Sequence, residues 1–345
     1  MNRHNRLLFG AIALAAAALP AAAQQPAAPF YQGKSITMLI GFGPGGGNDI
    51  WARMVARHIG KYIAGNPTVV PQNLPGGGGL LVANQLYNVS PKDGTVIGAI
   101  SRGIPLEPLF GGQGTKFDAL KLTWIGSPDR DTAICVARTD TGIASLKDLY
   151  QRELIMGATG SGTDSAIYPD FMAALFGLKL KTVKGYKGSN EMQLAIERGE
   201  VQGMCGSHDS IMASKLGREG KLTILFQGRL TPDPRLKGVA YFADVARTVE
   251  ERQVFELFLT RSALGRPLVA PPGLPPERTA TLRRAFNATM TDKAFIEEAA
   301  RQKLTAEPMT GEELLATIER AHAKPAAVIR RTTEVLGRLA VEKSK

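Results

Sequence analysis

The chain has 345 residues and a formal net charge of +11 at pH 7. That length excludes a single small core, so two domains or one large one is expected. A basic excess suits nucleic acid, an anionic membrane or an anionic small ligand, but here Lys and Arg are spread along the chain rather than massed in one patch.

In chain order the first element is not part of the fold. Arg3, His4 and Arg6 precede an apolar run from Leu7 to Leu19, and Ala21-Ala22-Ala23 supplies an A-x-A site. The run is too short to span a bilayer and has the flanks of a secretory signal. Residues 1–23 are therefore expected to be a cleaved signal peptide and the product to be periplasmic. Losing Arg3 and Arg6 leaves about +9. Export removes nucleic acid from the expected partners and leaves an acidic small molecule, bound by a monomer.

Ile36–Gly41 is a continuous apolar run, the pattern of a strand buried on both faces. A glycine loop follows, and then Asn48 or Asp49 as a helix cap. In that helix Ile50, Met54, Val55, Ile59, Tyr62 and Ile63 recur at three- and four-residue spacing. Thr68–Val70 begins the next strand. Asn73–Gly79 leads into a helix carrying Leu80, Ala83, Leu86 and Tyr87, and Val96–Ile100 and Leu122–Ile125 are further strands.

The pattern restarts near Asp131. Strands are expected at 133–137, 154–158, 181–186, 201–205 and 222–227, and helices after Ser145, through Phe171 to Phe176, and over 189–197. Helix is expected again near 249–259, a strand at 267–270, and a largely helical tail from Glu277 to Leu336 broken at Pro325. Apolar runs alternating with amphipathic segments predict an α/β fold built on parallel sheets. The expected division is a first lobe of residues 24–127 plus 228–345 and an inserted second lobe of residues 128–227. Cys135 and Cys205 are the only cysteines. In an oxidising compartment they are a disulfide candidate, with two buried thiols as the alternative.

Residues 41–49, G-F-G-P-G-G-G-N-D, contain G-x-G-x-x-G, but the second strand ends in Pro71-Gln72-Asn73 without the carboxylate a dinucleotide ribose needs. Gly33-Lys34-Ser35 lacks the first glycine of a P-loop and precedes its strand. No G-x-S-x-G elbow, H-E-x-x-H or cysteine cluster is present. His58, His208 and His322 lie in three distant segments. An enzyme is therefore not expected, nor a metal or cofactor. Three glycine loops, at 43–47, 76–79 and 160–162, each sit between a strand and a helix. Each presents backbone N–H groups at the positive end of a helix dipole, a site for carboxylate or phosphate.

F-G-P-G-G-G-N-D-I-W-A-R resembles the F-P-P-G-G-x-x-D-x-x-A-R loop of tripartite tricarboxylate transporter substrate-binding proteins, the TctC or Bug-type receptors. N-L-P-G-G-G-G, S-P-K-D-G-T-V-I-G, G-A-T-G-S-G-T, G-Y-K-G-S-N and A-P-P-G-L-P-P resemble five further motifs of that family, in order, from about Tyr31 to the C-terminus. The resemblance implies a type II periplasmic-binding-protein fold, two α/β lobes that close on a small carboxylate (a di- or tricarboxylate, an aromatic acid or an acidic amino acid). It also implies delivery to large and small integral membrane transporter subunits, or, as the alternative, to a sensor kinase. The ligand residues it implies are Gly43, Pro44, Gly45, Gly46 and Asp49 in the first loop and Asn73, Gly76, Gly77 and Gly78 in the second. Ser101 follows the third strand. Thr159, Gly160, Ser161, Gly162, Thr163, Tyr186, Lys187 and Gly188 come from the inserted lobe. Two positions depart from the family pattern. Arg102 stands where a small neutral residue is usual, as a counter-charge for a second acidic group or as a surface arginine. V-Q-G-M-C-G-S-H-D-S displaces an aspartate, leaving His208 to reach the ligand instead.

Overall fold

The computed structural model describes residues 29–341 apart from 131, 230, 242–245 and 247. The signal peptide expected at 1–23 lies outside the described residues. The first sheet has the order β12-β4-β11-β3-β1-β2, built from β1 (Ser35–Ile40), β2 (Thr68–Asn73), β3 (Val96–Ala99), β4 (Thr123–Ser127), β11 (Leu268–Ala270) and β12 (Met309–Thr310). The second has the order β10-β9-β5-β8-β6-β7, from β5 (Ala133–Arg138), β6 (Leu154–Ala158), β7 (Leu180–Lys184), β8 (Gly203–Ser207), β9 (Leu222–Gly228) and β10 (Ala240–Tyr241).

Both sheets are mixed rather than parallel. β1 pairs parallel with β2 and β3, and β6 with β7 and β8. β5 and β11 run antiparallel to both their neighbours. These are the strands that bring the chain into each sheet from the other lobe. β5 enters six residues after β4 ends, and β11 receives the chain on its return. The period of an apolar run is blind to that reversal.

The helices over the first sheet include α1 (Gly47–Ile59), α2 (Leu80–Asn88), α8 (Pro276–Met290), α9 (Lys293–Arg301) and α10 (Gly311–His322). Met54, Val55 and Ile59 of α1 are buried as the spacing predicts, together with Trp51. Tyr62 is exposed instead, because α1 ends at Ile59 and a 3₁₀ turn over Gly60–Tyr62 rotates it away. The second sheet carries α3 (Asp164–Phe176), α4 (Ser189–Arg198) and the short α5 (His208–Met212) and α6 (Lys215–Arg218). α3 runs through Pro169 without a break.

α7 (Val249–Ala263) and α11 (Ala326–Val341) complete the fold. β10 and α7, expected in the first lobe, pack with the second. β10 extends the second sheet, and Val254, Phe255, Phe258 and Leu259 of α7 join its core. Phe258 stacks on Phe171 at 4.0 Å between ring centroids. The chain thus passes from the first sheet to the second between β4 and β5 and returns between α7 and β11, and α11 packs back on α3 and α7. The two crossings are stitched together: Ser127 Oγ donates to Asp129 O at 2.9 Å and accepts from Arg266 N at 2.8 Å.

Cys135 and Cys205 face each other across β5 and β8 and are joined in a disulfide.

Candidate functional site

The glycine loops lie where the lobes meet, and their first role is close approach. Gly43 N donates to Lys187 O at 2.8 Å, and Gly47 N to Ser189 Oγ at 3.2 Å. A Cβ on Gly46 would stand 2.7 Å from Ser189 Oγ, and one on Gly45 2.5 Å from Asn190 Nδ2. The second loop does the same on the other side of the cleft. A Cβ on Gly78 would overlap Thr163 Cγ2, and one on Gly160 would stand 2.5 Å from the backbone of Gly77. Only residues without a side chain let these backbones touch.

Behind this seam is a cavity of about 80 Å³. Gly46, Gly47 and Asn48 line it from the start of α1, Thr163, Asp164 and Ser165 from α3, and Gly188 and Ser189 from α4. Three helix N-termini therefore converge on one space. None is capped by the side chain of its own N-cap residue: these are Gly46, Thr163 and Gly188, the Thr163 hydroxyl instead donates to Gly160 O at 2.7 Å, and of the α1 first turn Gly47 N is taken by Ser189 Oγ. First-turn N–H groups left without a cap are anion ligands. Ser101, Ser207, Ser210 and Thr159 add hydroxyls, while Phe42, Met192, Met204 and Ile211 add apolar surface.

Two arginines complete the lining, both buried. Arg102 Nε pairs with Asp164 Oδ2 at 2.6 Å, and Asp164 Oδ1 also takes Arg261 Nε at 3.0 Å. Arg266 comes from the returning crossover. Its guanidinium pairs with Asp129 of the other crossover, donates to Ser210 Oγ at 2.9 Å and sits 5.9 Å from the Trp51 ring. Burial pushes Arg266 down to about 9, and the neighbouring charge of Arg102 adds to the push. Asp129 is the counter-anion of Arg266, and such a pair is worth more here than at the surface. Glu107, packed near Gly162 and Arg261, is pushed up by burial, partly opposed by Arg261.

Of the residues expected to hold ligand, Gly46, Ser101, Arg102, Thr159, Thr163 and Gly188 line this cavity. The others do not. Asp49 shapes the first loop: its carboxylate accepts from Gly45 N at 2.8 Å, from Asn73 Nδ2 at 2.7 Å and from Arg53 Nε at 2.9 Å. Asn73 is engaged with Asp49, Arg53 and Phe42 O. Gly43, Gly45, Gly76, Gly77, Gly78, Gly160 and Lys187 belong to the seam or its flanks, with Pro44 between Gly43 and Gly45. Ser161 is exposed, and Gly162 O accepts from Arg261. Tyr186 packs with the apolar cluster around Met192. His208 turns to Asp209, with Nδ1 2.9 Å from Oδ1. Arg102 is not a surface residue: it is buried and pairs with Asp164, which Arg261 also meets.

Arg266 was the residue hardest to expect. Ligands of parallel α/β sheets gather at strand C-terminal ends, and Arg266 precedes its strand. β11 runs antiparallel to β3, with Leu268 opposite Ala99, so its N-terminal end lies at the edge where β3 ends. Ser189 was legible as a helix start but not as a lining residue.

A family model for the tripartite tricarboxylate transporter family receptor, TctC, matches residues 51–333. The chain belongs to this family. The receptor is 25% identical over 296 residues to a UPF0065 protein of Bordetella pertussis, covering 82% of this chain and 85% of that protein. The solved structure of the periplasmic binding protein BugD is similar with a TM-score of 0.70 at 20% identity, over 90% of this chain and 99% of that one. Rpa4515 of R. palustris, solved with adipate, gives 0.69 at 18% identity, over 88% and 97%. These likenesses show the two-lobed α/β fold of periplasmic binding proteins.

Proposed function

We propose that this TctC-family receptor is periplasmic and captures a small carboxylate between its lobes. It would hand that ligand to the large and small membrane subunits of a tripartite carrier, without catalysis. The observation that carries the reading is the convergence of three uncapped helix N-termini, from α1, α3 and α4, on a cavity that Arg266 also lines. Partial positive charge from each helix favours a carboxylate over a neutral solute. The similar fold solved with adipate supports the same class of ligand. Lining residues come from both lobes, so ligand contacts favour the closed form.

A thermal-shift screen of mono-, di- and tricarboxylates, aromatic acids and acidic amino acids tests this. A ligand at a hundredfold excess over its Kd adds about 2.7 kcal/mol to the folded state. A melting response to acids and none to sugars or neutral amino acids is expected. A flat response across all acids removes the reading.

A further inference from the structure

The polar lining of the cavity is one-sided. Two guanidiniums line the space, Arg102 and Arg266, against a single carboxylate, Asp164. That carboxylate is held from two directions, by Arg102 Nε at 2.6 Å and by Arg261 Nε at 3.0 Å. Asp129 lies behind the lining and is paired with Arg266. No other acidic side chain lines the cavity among the described residues. A ligand cation would therefore meet three helix starts and two guanidiniums, and no carboxylate that is not already shared between arginines.

The hydroxyls lean the same way. Ser189 Oγ accepts from Gly47 N at 3.2 Å, Ser165 Oγ from Thr159 N at 3.0 Å and Ser207 Oγ from Ser210 N at 3.3 Å. Ser210 Oγ accepts twice, from Arg266 Nη2 at 2.9 Å and from Ser207 Oγ at 3.2 Å. A hydroxyl oxygen with both lone pairs engaged has only its proton left to offer. The cavity is thus rich in donors and poor in acceptors.

We infer that the ligand is a carboxylic acid without an ammonium group, so that acidic amino acids are rejected and their unsubstituted or hydroxy counterparts accepted. This rests on the carboxylate reading above and deepens it, and it holds for one carboxylate or several. In aspartate the ammonium lies one carbon from one carboxylate and two from the other. With either carboxylate at the helix starts, the ammonium stays within the same positive field and meets like charge. A hydroxyl in its place can accept as well as donate.

The test is calorimetric titration of the receptor at pH 7 with two series of acids. One is succinate, L-malate and L-aspartate, and the other phenylpropanoate, phenyllactate and phenylalanine. Within a series the skeleton is kept while one carbon carries hydrogen, hydroxyl or ammonium. In any series that binds, the amino acid is expected to be at least tenfold weaker than the hydroxy acid. An amino acid as tight as its hydroxy acid overturns the inference and leaves the carboxylate receptor standing. A hydroxy acid as weak as the amino acid, beside a tighter unsubstituted acid, overturns it too, because bulk and not charge then discriminates. Arg102→Gln takes one guanidinium from Asp164 and should narrow the gap between amino and hydroxy acid at least threefold. An unchanged gap in the folded variant overturns the part given to Asp164. If Arg102→Gln does not fold, the two series on the unaltered protein decide. Binding by no member of either series overturns both readings.

Discussion

Arg102 Nε and Asp164 Oδ2 meet at 2.6 Å across the cleft, one from the end of β3 in the first lobe and one from the first turn of α3 in the second. The pair is buried and ties the loop after β3 to the start of α3. Arg102→Gln leaves Asp164 to Arg261. Loss of one charge-assisted bond of this kind costs roughly 2 kcal/mol. Urea unfolding should show that loss, and scattering should show a more open average shape. Wild-type stability and shape in the variant would mean that the pair contributes nothing to closure.

The seam makes a sharper prediction about closure. Gly78→Ala places a methyl group on Thr163 Cγ2, whereas at Gly273 (φ +72°) a Cβ has nothing within 4 Å. Both changes carry the strain of a left-handed backbone, about 1 kcal/mol. Only Gly78→Ala is expected to abolish ligand-induced compaction and weaken binding more than tenfold. Adding Thr163→Ser removes the clashing methyl and should restore both. Normal compaction in Gly78→Ala would show that this contact is not part of the bound form.

The Cys135–Cys205 bond joins neighbouring strands in the wall of the cavity and closes 70 residues of chain. In the chain-entropy model such a loop is worth about 4 kcal/mol. Reduction, or Cys135→Ser with Cys205→Ser, should lower the melting temperature by on the order of 10 °C. Differential scanning calorimetry with and without reductant measures it. An unchanged transition would contradict a stabilising bond.

An acid limb to stability follows from the carboxylates beside the first crossover. The hydrogen bond from Arg235 holds Asp233 well below the usual carboxylate range, with Thr132 Oγ1 donating at 2.6 Å. Burial pushes Asp209 up, but the hydrogen bond from His208 and the charge of Arg235 outweigh it and leave it low. Depressed carboxylates stabilise the fold above their unfolded pKa near 4 and lose that contribution as pH falls through the folded value. Stability should therefore be flat above pH 5 and decline below about 4. Asp233→Asn should be less stable at pH 7 and show a shallower decline. Denaturant unfolding at pH 3, 4, 5 and 7 tells the two slopes apart, and equal slopes would contradict the assignment.

The sequence was most legible where one residue type has one physical reason. Apolar runs located β1, β3, β5, β6 and β9, and the three glycine loops stood at the starts of α1, α2 and α3. What glycine did there was only half legible. Gly46 borders the cavity, but Gly78 and Gly160 are glycines because a distant segment presses on them. A clash of that kind leaves no local trace. The same holds for Asp49, whose position suits a ligand contact or a cap and whose partner Asn73 is 24 residues away. Arg266 was hidden by the reversal of β11, and α7 by an apolar face that fits either lobe until Phe171 and Phe258 meet.

The central claim is that this cleft recognises a negative charge. The most direct measurement compares the melting shift produced by the best-binding acid of the screen with that of its amide, which keeps the shape and loses the charge. The account predicts a shift that grows with acid concentration as RT ln(1 + [L]/Kd) and none with the amide. Equal shifts from acid and amide would contradict it.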